Sequence, residues 1–308
     1  MRPLITVLGA SGFIGSSVVA ALAGRGARVR PVGRRQADLS VPGALAAAVT
    51  GSDVIVHLVA HTAGTGNWRN PEADPRARHL NEGLARELVD VVRAQRRDRP
   101  PVVLFAGTAH SADSAYARQK LAAEQTLCAA TEDGVLIAVP LRLTTVFGVG
   151  RDRGVVSTMI RRALAGEPLT MWHDGSVERD LLYVTDAAAA FTAALDHADA
   201  LAGRPWTVGG GTGVPLGDVL HAIAERVSHH TGRPPVPVVR VDPPAYATAA
   251  DFRHVRADVA PFSARTGWHP ATDLRTALDH TIAQLKNEQL KNERLENEQP
   301  KKTEKEPS

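Results

Sequence analysis

The sequence predicts an α/β protein: a doubly wound parallel sheet with a smaller α/β lobe towards the carboxyl end. Three observations predict it. The apolar run Leu4-Ile5-Thr6-Val7-Leu8 ends in Gly9-Ala10-Ser11-Gly12-Phe13-Ile14-Gly15 and passes at once into a helix-forming stretch, Ser16 to Ala23. Strand and helix signals go on alternating to about Gly148, as expected of parallel strands joined by crossover helices that cover both sheet faces. The 308 residues are 44% hydrophobic and 22% charged, which suits one large core, or a core plus a lobe.

Gly24 and Gly26 stop the first helix, and Arg28 to Val32 follows as the second strand. Ala44 to Val49 is a short helix, and Asp53 to Ala60 a buried strand. Asp74-Pro75 opens a long helix to about Arg97, with Leu80, Leu84, Leu88, Val91 and Val92 along one face. Pro101 to Ala106 is a strand, Ser114 to Ala130 a helix and Val135 to Leu143 a strand. Beyond Gly148 the pattern loosens. Val155 to Ala165 is helical, Leu169 to Trp172 and Leu181 to Val184 are short strands, and Asp186 to Leu195 is a helix opened by Thr185. Trp206 to Val208 is a strand, Leu216 to His230 a helix, Val236 to Val241 a strand, and Thr272 to Leu285 a last amphipathic helix. The expected division is a core over 1–150, a lobe over 151–284 with segments returning to the core, and a tail over 285–308.

From Lys286 on, six basic residues face six acidic ones, and Leu290 and Leu295 are the only apolar side chains. Such a segment has no core to bury. It is expected to be a frayed helix end running into disorder, since the sustained heptad seam of a coiled coil is missing.

A strand that turns tightly into a helix presents bare backbone N–H groups and the positive end of the helix dipole, together a seat for a diphosphate. Gly9 permits the turn, Gly12 lets the backbone approach the phosphates, and Gly15 lets the helix pack close on the strand, as in a Rossmann-type fold. A glycine-rich turn with no ligand is the plain alternative; the strand and helix on either side argue against it.

Composition excludes several classes. Cys128 is the only cysteine, so no internal disulfide forms, and its Ala-rich helical setting reads as core. No apolar run approaches about 18 residues, the length a membrane span needs, and the amino terminus has no signal-peptide layout. A cytoplasmic location follows as the expectation. The net charge of +3 comes without an aromatic-interleaved basic patch, so no nucleic acid is expected as a partner. His57, His61, His110 and His173 lack metal-ligand spacing, and no serine sits in a nucleophile elbow with His and Asp partners.

The second strong signal is Tyr116-Ala117-Arg118-Gln119-Lys120. Tyr and Lys at i and i+4 share a helix face. A phenol with a pKa of about 10 is a poor acid–base at neutral pH, and an adjacent ammonium favours its phenolate. Thr108 stands eight residues earlier, just past a strand, so its hydroxyl is expected beside Tyr116 at the carboxyl edge of the sheet. Two solvated helix residues would explain the pair alone; the glycine motif and Thr108 in the same order weigh against that.

On these residues the chain resembles an extended short-chain dehydrogenase/reductase of the NAD-dependent epimerase/dehydratase family. More narrowly, it resembles the NDP-4-keto-6-deoxyhexose 4-ketoreductases of antibiotic deoxysugar pathways. Leu8 to Gly15 with its Gly-x-x-Gly-x-x-Gly spacing, Val54 to His61, Pro101 to Leu104, Tyr116 to Lys120, Met159 to Gly175 with Met171-Trp172-His173, Arg179-Asp180-Leu181-Leu182 and Arg265 to Trp268 carry the resemblance. It implies that Tyr116 donates the proton, Lys120 holds the nicotinamide ribose and tunes Tyr116, and Thr108 bonds the substrate carbonyl. It implies cofactor contacts at Gly9, Ser11, Gly12, Phe13, Ile14, Gly15, Leu58, Val59, Ala60, Asn81 and Leu143, with Asp38 and Leu39 lining the adenine. It implies substrate contacts at Thr108 and Thr145, and at Arg179 and Arg253 on a sugar-nucleotide diphosphate, where bidentate guanidinium groups suit phosphate. Surface roles are the alternative for Arg253 and Asn81.

Gly33-Arg34-Arg35 follows the second strand, where an acidic residue would bind the ribose hydroxyl of NAD; Arg34 and Arg35 suit a 2′-phosphate, so NADPH is the expected cofactor and NADH the alternative. Three departures stand out. The segment before Asp38 is too short for the usual third strand, and the loops from Thr108 to Tyr116 and after Gly148 are short. Dehydratases of the family carry an acidic pair after the threonine; here Ala109 and His110 stand there. The resemblance therefore implies reduction of the C-4 ketone of a TDP-4-keto-6-deoxyhexose, with a homodimer as the assembly. An NDP-sugar 4-epimerase and a non-catalytic dinucleotide-binding sensor are the alternatives.

Overall fold

A computed structural model describes residues 2–61, 75–95, 97–110, 113–152, 154–245 and 247–298, with backbone alone for 75 and 292–298. β1 (Leu4–Leu8) is buried at every position and leads through the glycine turn into α1 (Phe13–Gly24). The helix begins before its apolar run because Gly12 caps it in an extended conformation, so Phe13, Ile14 and Gly15 already form its first turn. β2 (Arg28–Val32), α2 (Ala44–Val49) and β3 (Val54–His57) follow.

The single long helix expected up to Arg97 is three pieces: α3 (Pro75–Arg78), a π-helical turn at His79–Gly83, and α4 (Leu84–Ala94). The extra residue of the π turn directs Asn81, 1% exposed, into the protein. Asp74 lies outside the described residues. β4 (Val102–Thr108), α5 (Ala115–Glu132) and β5 (Ile137–Leu143) complete the first half. The Ser114 side chain caps α5 by accepting from the Ala117 amide at 3.1 Å.

The second half holds β6 (Thr145–Phe147), α6 (Val155–Leu164), β7 (Leu169–Met171), β8 (Glu178–Tyr183), α7 (Val184–Asp196) and α8 (Ala198–Leu201). It continues with β9 (Trp206–Val208), β10 (Gly213–Pro215), α9 (Leu216–Thr231), β11 (Val238–Arg240), α10 (Ala260–Thr266) and α11 (Leu274–Glu298). β6, β10, α8 and α10 go beyond the sequence expectation; each is too short to show a period.

The main sheet is parallel, in the order β2-β1-β3-β4-β5-β9, so the chain is of Rossmann type. Its strands sort side chains with period two. Ile5, Val7, Val54 and Val56 pack on one face with Val18 of α1 and Phe191 of α7. Leu8, Ile55, Val103 and Phe105 pack on the other with Leu84 and Leu88 of α4 and Leu127 of α5. A three-stranded sheet, β10-β8-β6, and the pair β11-β7 stand beside it, and Ile160, Ile223, Leu278 and Ile282 build the lobe's own core.

α11 runs on to Glu298 instead of ending near Leu285. Lys, Glu, Gln and Leu all favour helix, and Gln284 donates to Glu288 one turn on. Leu285 is buried and the Lys286 ammonium donates to the His230 carbonyl at 2.6 Å, so the tail begins docked. From Asn287 to Lys291 every residue is exposed, and 299–308 lie outside the described residues. Ending the chain after Lys286 is therefore expected to leave the melting temperature within about 2 °C of the full chain, by calorimetry. A larger fall would show that the exposed part of α11 docks on something.

Candidate functional site

The glycine turn is built by close approach. Gly9 has φ 82°, and its amide and that of Ala10 donate to the Val32 carbonyl at 2.9 and 3.1 Å, which holds the turn against β2. A Cβ on Gly15 would stand 2.1 Å from the Gly9 oxygen, and one on Gly9 would stand 3.0 Å from the Leu58 carbonyl. Gly9 to Gly15 and Leu58 to Ala60 are thus gathered at the carboxyl edge of β1 and β3, with Ser11 and Gly12 exposed at the positive end of α1. Beyond β2, Arg34 and Arg35 are exposed. The Asp38 carboxylate accepts from the Ser40 hydroxyl and amide, which hold it below the usual carboxylate range. Leu39 is buried, and its carbonyl accepts from the His79 ring at 3.1 Å.

Lys120 is 1% exposed and Tyr116 half-buried on α5. The Lys120 ammonium donates to the Val59 carbonyl at 3.4 Å and sits 4.0 Å from the centroid of the Phe105 ring. That ring also makes a T-shaped contact with His57, with centroids 5.3 Å apart. Asn81 locks the neighbourhood: its Oδ1 accepts from the His61 amide at 2.7 Å, and its Nδ2 donates to the His61 carbonyl and to Gln119 Oε1, both at 2.9 Å.

Burial dominates the protonation chemistry, and this corrects the expectation that the lysine draws Tyr116 towards phenolate. Burial pushes the Tyr116 phenol up to about 12. It pushes the Lys120 ammonium down to about 7, with Glu124 acting the other way. Burial, then the Lys120 charge, brings His57 down to about 3, so its ring is neutral. Taking a phenolate out of water disfavours the charged form. At neutral pH Tyr116 is a phenol with a proton to give.

Thr108 closes β4 opposite Leu143 of β5, and its hydroxyl oxygen accepts from the His110 amide at 3.2 Å. Residues 111 and 112, between His110 and α5, lie outside the described residues. Thr145 pairs with Leu181. Burial, then Arg179, keeps His110 below its ordinary range. A cavity of about 390 Å³ opens beside Thr108 and His110, bounded by Leu121, Arg142 and Ala257.

The two arginines meet. Arg179 donates to the carbonyls of Glu178, Arg253 and Asp251 at 2.9, 2.8 and 2.5 Å. Arg253 reaches the Asp113 carboxylate at 2.7 Å, just ahead of α5. Sequence reasoning missed several supports. Glu124, one turn past Lys120, takes Arg142 with two bonds at 2.9 and 2.6 Å; its spacing of Tyr116, Lys120 and Glu124 was the available signal. Asp180, fully buried, accepts from the amides of Gly210, Gly211 and Ala257 and so ties β8 to two loops. Phe105 reads in sequence as one more strand residue. Among the described residues no cluster of His, Cys, Asp and Glu could hold a metal, and no helix is long and apolar enough to cross a membrane.

A family model described as the NAD dependent epimerase/dehydratase family matches residues 5–209, so the chain belongs to that family. A 2-alkyl-3-oxoalkanoate reductase of Stenotrophomonas maltophilia is 27% identical over 257 residues, 72% of this chain and 75% of that protein. The epimerase Mth375 of Methanothermobacter thermautotrophicus superposes with a TM-score of 0.80 over 95% of both chains at 19% identity. MoeE5 in complex with UDP-glucose and NAD is 25% identical, with a TM-score of 0.77 over 92% of this chain and 99% of that one.

The buried ammonium has a measurable cost. Because the native state lowers its pKa, the penalty is full below about 7 and fades as pH rises towards the ordinary lysine value. Lys120→Met is expected to melt above the wild type, with the gap greatest below pH 7 and closing in alkali. A variant that melts lower at pH 6 would show that the charge stabilises the fold.

Proposed function

We propose that this member of the NAD dependent epimerase/dehydratase family is a reductase that uses NADPH to reduce the C-4 ketone of a TDP-4-keto-6-deoxyhexose, as in the deoxysugar pathways of antibiotics. The observation that carries the reading is Tyr116 one helical turn from the buried Lys120 on α5, together with a Thr108-Ala109-His110 segment at the end of β4 that holds no carboxylate. Reduction needs one proton donor; loss of water from a sugar needs an acid and a base at those positions.

The cofactor-holding residues would be Gly9 to Gly15 with the amino end of α1 for the diphosphate, Leu58 to Ala60, Asn81 and Leu143 along its length, and Asp38 and Leu39 at the adenine. The fit is supported by close packing at Gly9 and Gly15, where a Cβ would meet backbone at 3.0 and 2.1 Å, and by Ser11 and Gly12 lying exposed at the amino end of α1. Bound there, the dinucleotide supplies a hydride for the ketone carbon. The Tyr116 hydroxyl passes its proton to the ketone oxygen, so one hydride and one proton complete the alcohol. Thr108 donates a hydrogen bond to the same oxygen, and Thr145 borders the sugar. Lys120 keeps a positive charge beside the phenolate left behind and holds the nicotinamide ribose. Arg179 and Arg253 would exchange carbonyl and carboxylate partners for the sugar diphosphate.

Incubated with a TDP-4-keto-6-deoxyhexose, the protein is expected to oxidise one NADPH per product and to leave TDP-glucose undehydrated. Product from a 4-hydroxy sugar without net oxidation would favour the epimerase reading, and no turnover with bound cofactor the sensor. Tyr116→Phe is expected to bind NADPH normally and to lose roughly 10²–10⁴ in turnover, the contribution of a general acid; near-normal turnover would remove Tyr116 from the role.

Among the described residues Arg34 and Arg35 form no ion pair beyond β2, and Arg34 exerts only a weak pull on Asp38. Calorimetry is expected to find NADPH bound more tightly than NADH, and the double variant Arg34→Ala/Arg35→Ala to erase the difference. Equal or tighter binding of NADH by the wild type would refute the preference.

A further inference from the structure

A buried ammonium has three N–H donors and a charge to settle, and Lys120 settles them in an unusual way. Its one hydrogen bond among the described residues is the long one to Val59, at 3.4 Å. The nearest carboxylate on its own helix, Glu124, is spent on the two bonds to Arg142. From β3 it is faced by His57, a neutral ring, and along α5 by Tyr116, a neutral phenol. What lies against the charge is the face of Phe105, fully buried on β4, at 4.0 Å. A ring face attracts a cation through its quadrupole, most strongly where water is excluded.

We propose that Phe105 is a positioning residue: the face of its ring holds the Lys120 ammonium at the carboxyl edge of the sheet without consuming an N–H donor. The chemistry explains the choice of an aromatic. A carboxylate would neutralise the charge that the phenolate needs and would take one or two N–H groups. A second carbonyl would take another. The ring settles the charge and leaves the donors directed at what binds between Tyr116 and the glycine turn. His57 packs on the same ring at 5.3 Å and 74°, so the ring has an aromatic partner besides Lys120. The assignment uses the reading of Lys120 as the cation beside the phenol and the ribose, but its test needs no substrate.

The test replaces Phe105 with 4-fluoro-, 3,5-difluoro- and 3,4,5-trifluorophenylalanine, which keep the shape of the ring and progressively drain the negative face. In the full chain without substrate, the titration of Lys120 is followed by the carbon-13 shift of its Cε. Its midpoint is expected to fall stepwise with fluorine number, by about one unit across the series, with little change in melting temperature. Phe105→Leu, an apolar replacement without a quadrupole, is expected at or below the trifluoro value. With a 4-keto substrate, the alkaline limb of kcat/KM is expected to move down by the same amount, and NADPH binding to weaken in step. A midpoint that stays constant through the series, or a Phe105→Leu midpoint equal to the wild type, overturns the role of the ring. A stepwise shift of Lys120 with no turnover of any 4-keto sugar upholds the ring and sinks the reductase reading alone.

Discussion

The space between α1 and the end of β1 is too small for a methyl group, and much else follows from that. With a virtual Cβ on Gly15 only 2.1 Å from the Gly9 oxygen, the helix lies closer to its strand than any side chain would allow. That contact fixes where the amino end of α1 points and sets it at the carboxyl edge of the sheet. β1 sits between β2 and β3 in the sheet, so the Leu58–Val59 backbone beyond β3 is drawn against the same turn. The Val59 carbonyl then marks where the Lys120 ammonium can rest. One missing side chain thus connects a backbone turn in the first strand–helix unit to a lysine more than a hundred residues later.

A second anchor does for the lobe what the glycine contact does for the core. Asp180 has no exposed surface and gives its two oxygens to three amides, from the loop after β9 and from Ala257. Charge-assisted bonds of this kind compensate a carboxylate for its lost water. They draw together β8, the Gly209–Gly211 turn and the segment that walls the cavity beside Thr108. Arg179 precedes Asp180 in β8, so its guanidinium reaches the carbonyls of Asp251 and Arg253 from a strand that cannot drift. The rim of the candidate site owes its shape to a residue that does not line it.

What the sequence made legible was whatever repeats or abuts. The alternation of strands and helices gave the order of the core elements, and Gly9, Gly12 and Gly15 located the tight turn because spacing alone encodes it. The i, i+4 relation of Tyr116 and Lys120 placed both on α5. Longer-range effects stayed hidden. The π turn around Asn81 depends on bonds to His61 and Gln119, far apart in the chain. The phenol at Tyr116 could be read as lysine-activated until burial was known, since the local pair says nothing of how much water either group has lost. Short strands such as β6 and β10 carry too few residues to show a period and form because β8 offers edges on both sides.

The candidate site divides its positive charges into two kinds. Lys120, in the interior, shares its helix with Glu124, which is committed to Arg142; burial disfavours its charge, and a ring face and a distant carbonyl lie against it. The rim is arranged the other way. Arg253 holds Asp113 with both side chains about half exposed, at 58% and 48%, and such a pair contributes only about 0–1 kcal/mol. Arg179 is partly buried and rests on neutral carbonyls, which yield to an anion more readily than a carboxylate would. On the proposed reading an incoming diphosphate would break little to gain both guanidinium groups. A fixed charge at Lys120 and exchangeable charges at Arg179 and Arg253 are the division that the proposed reading requires, since such a site must hold one group still while another arrives and leaves.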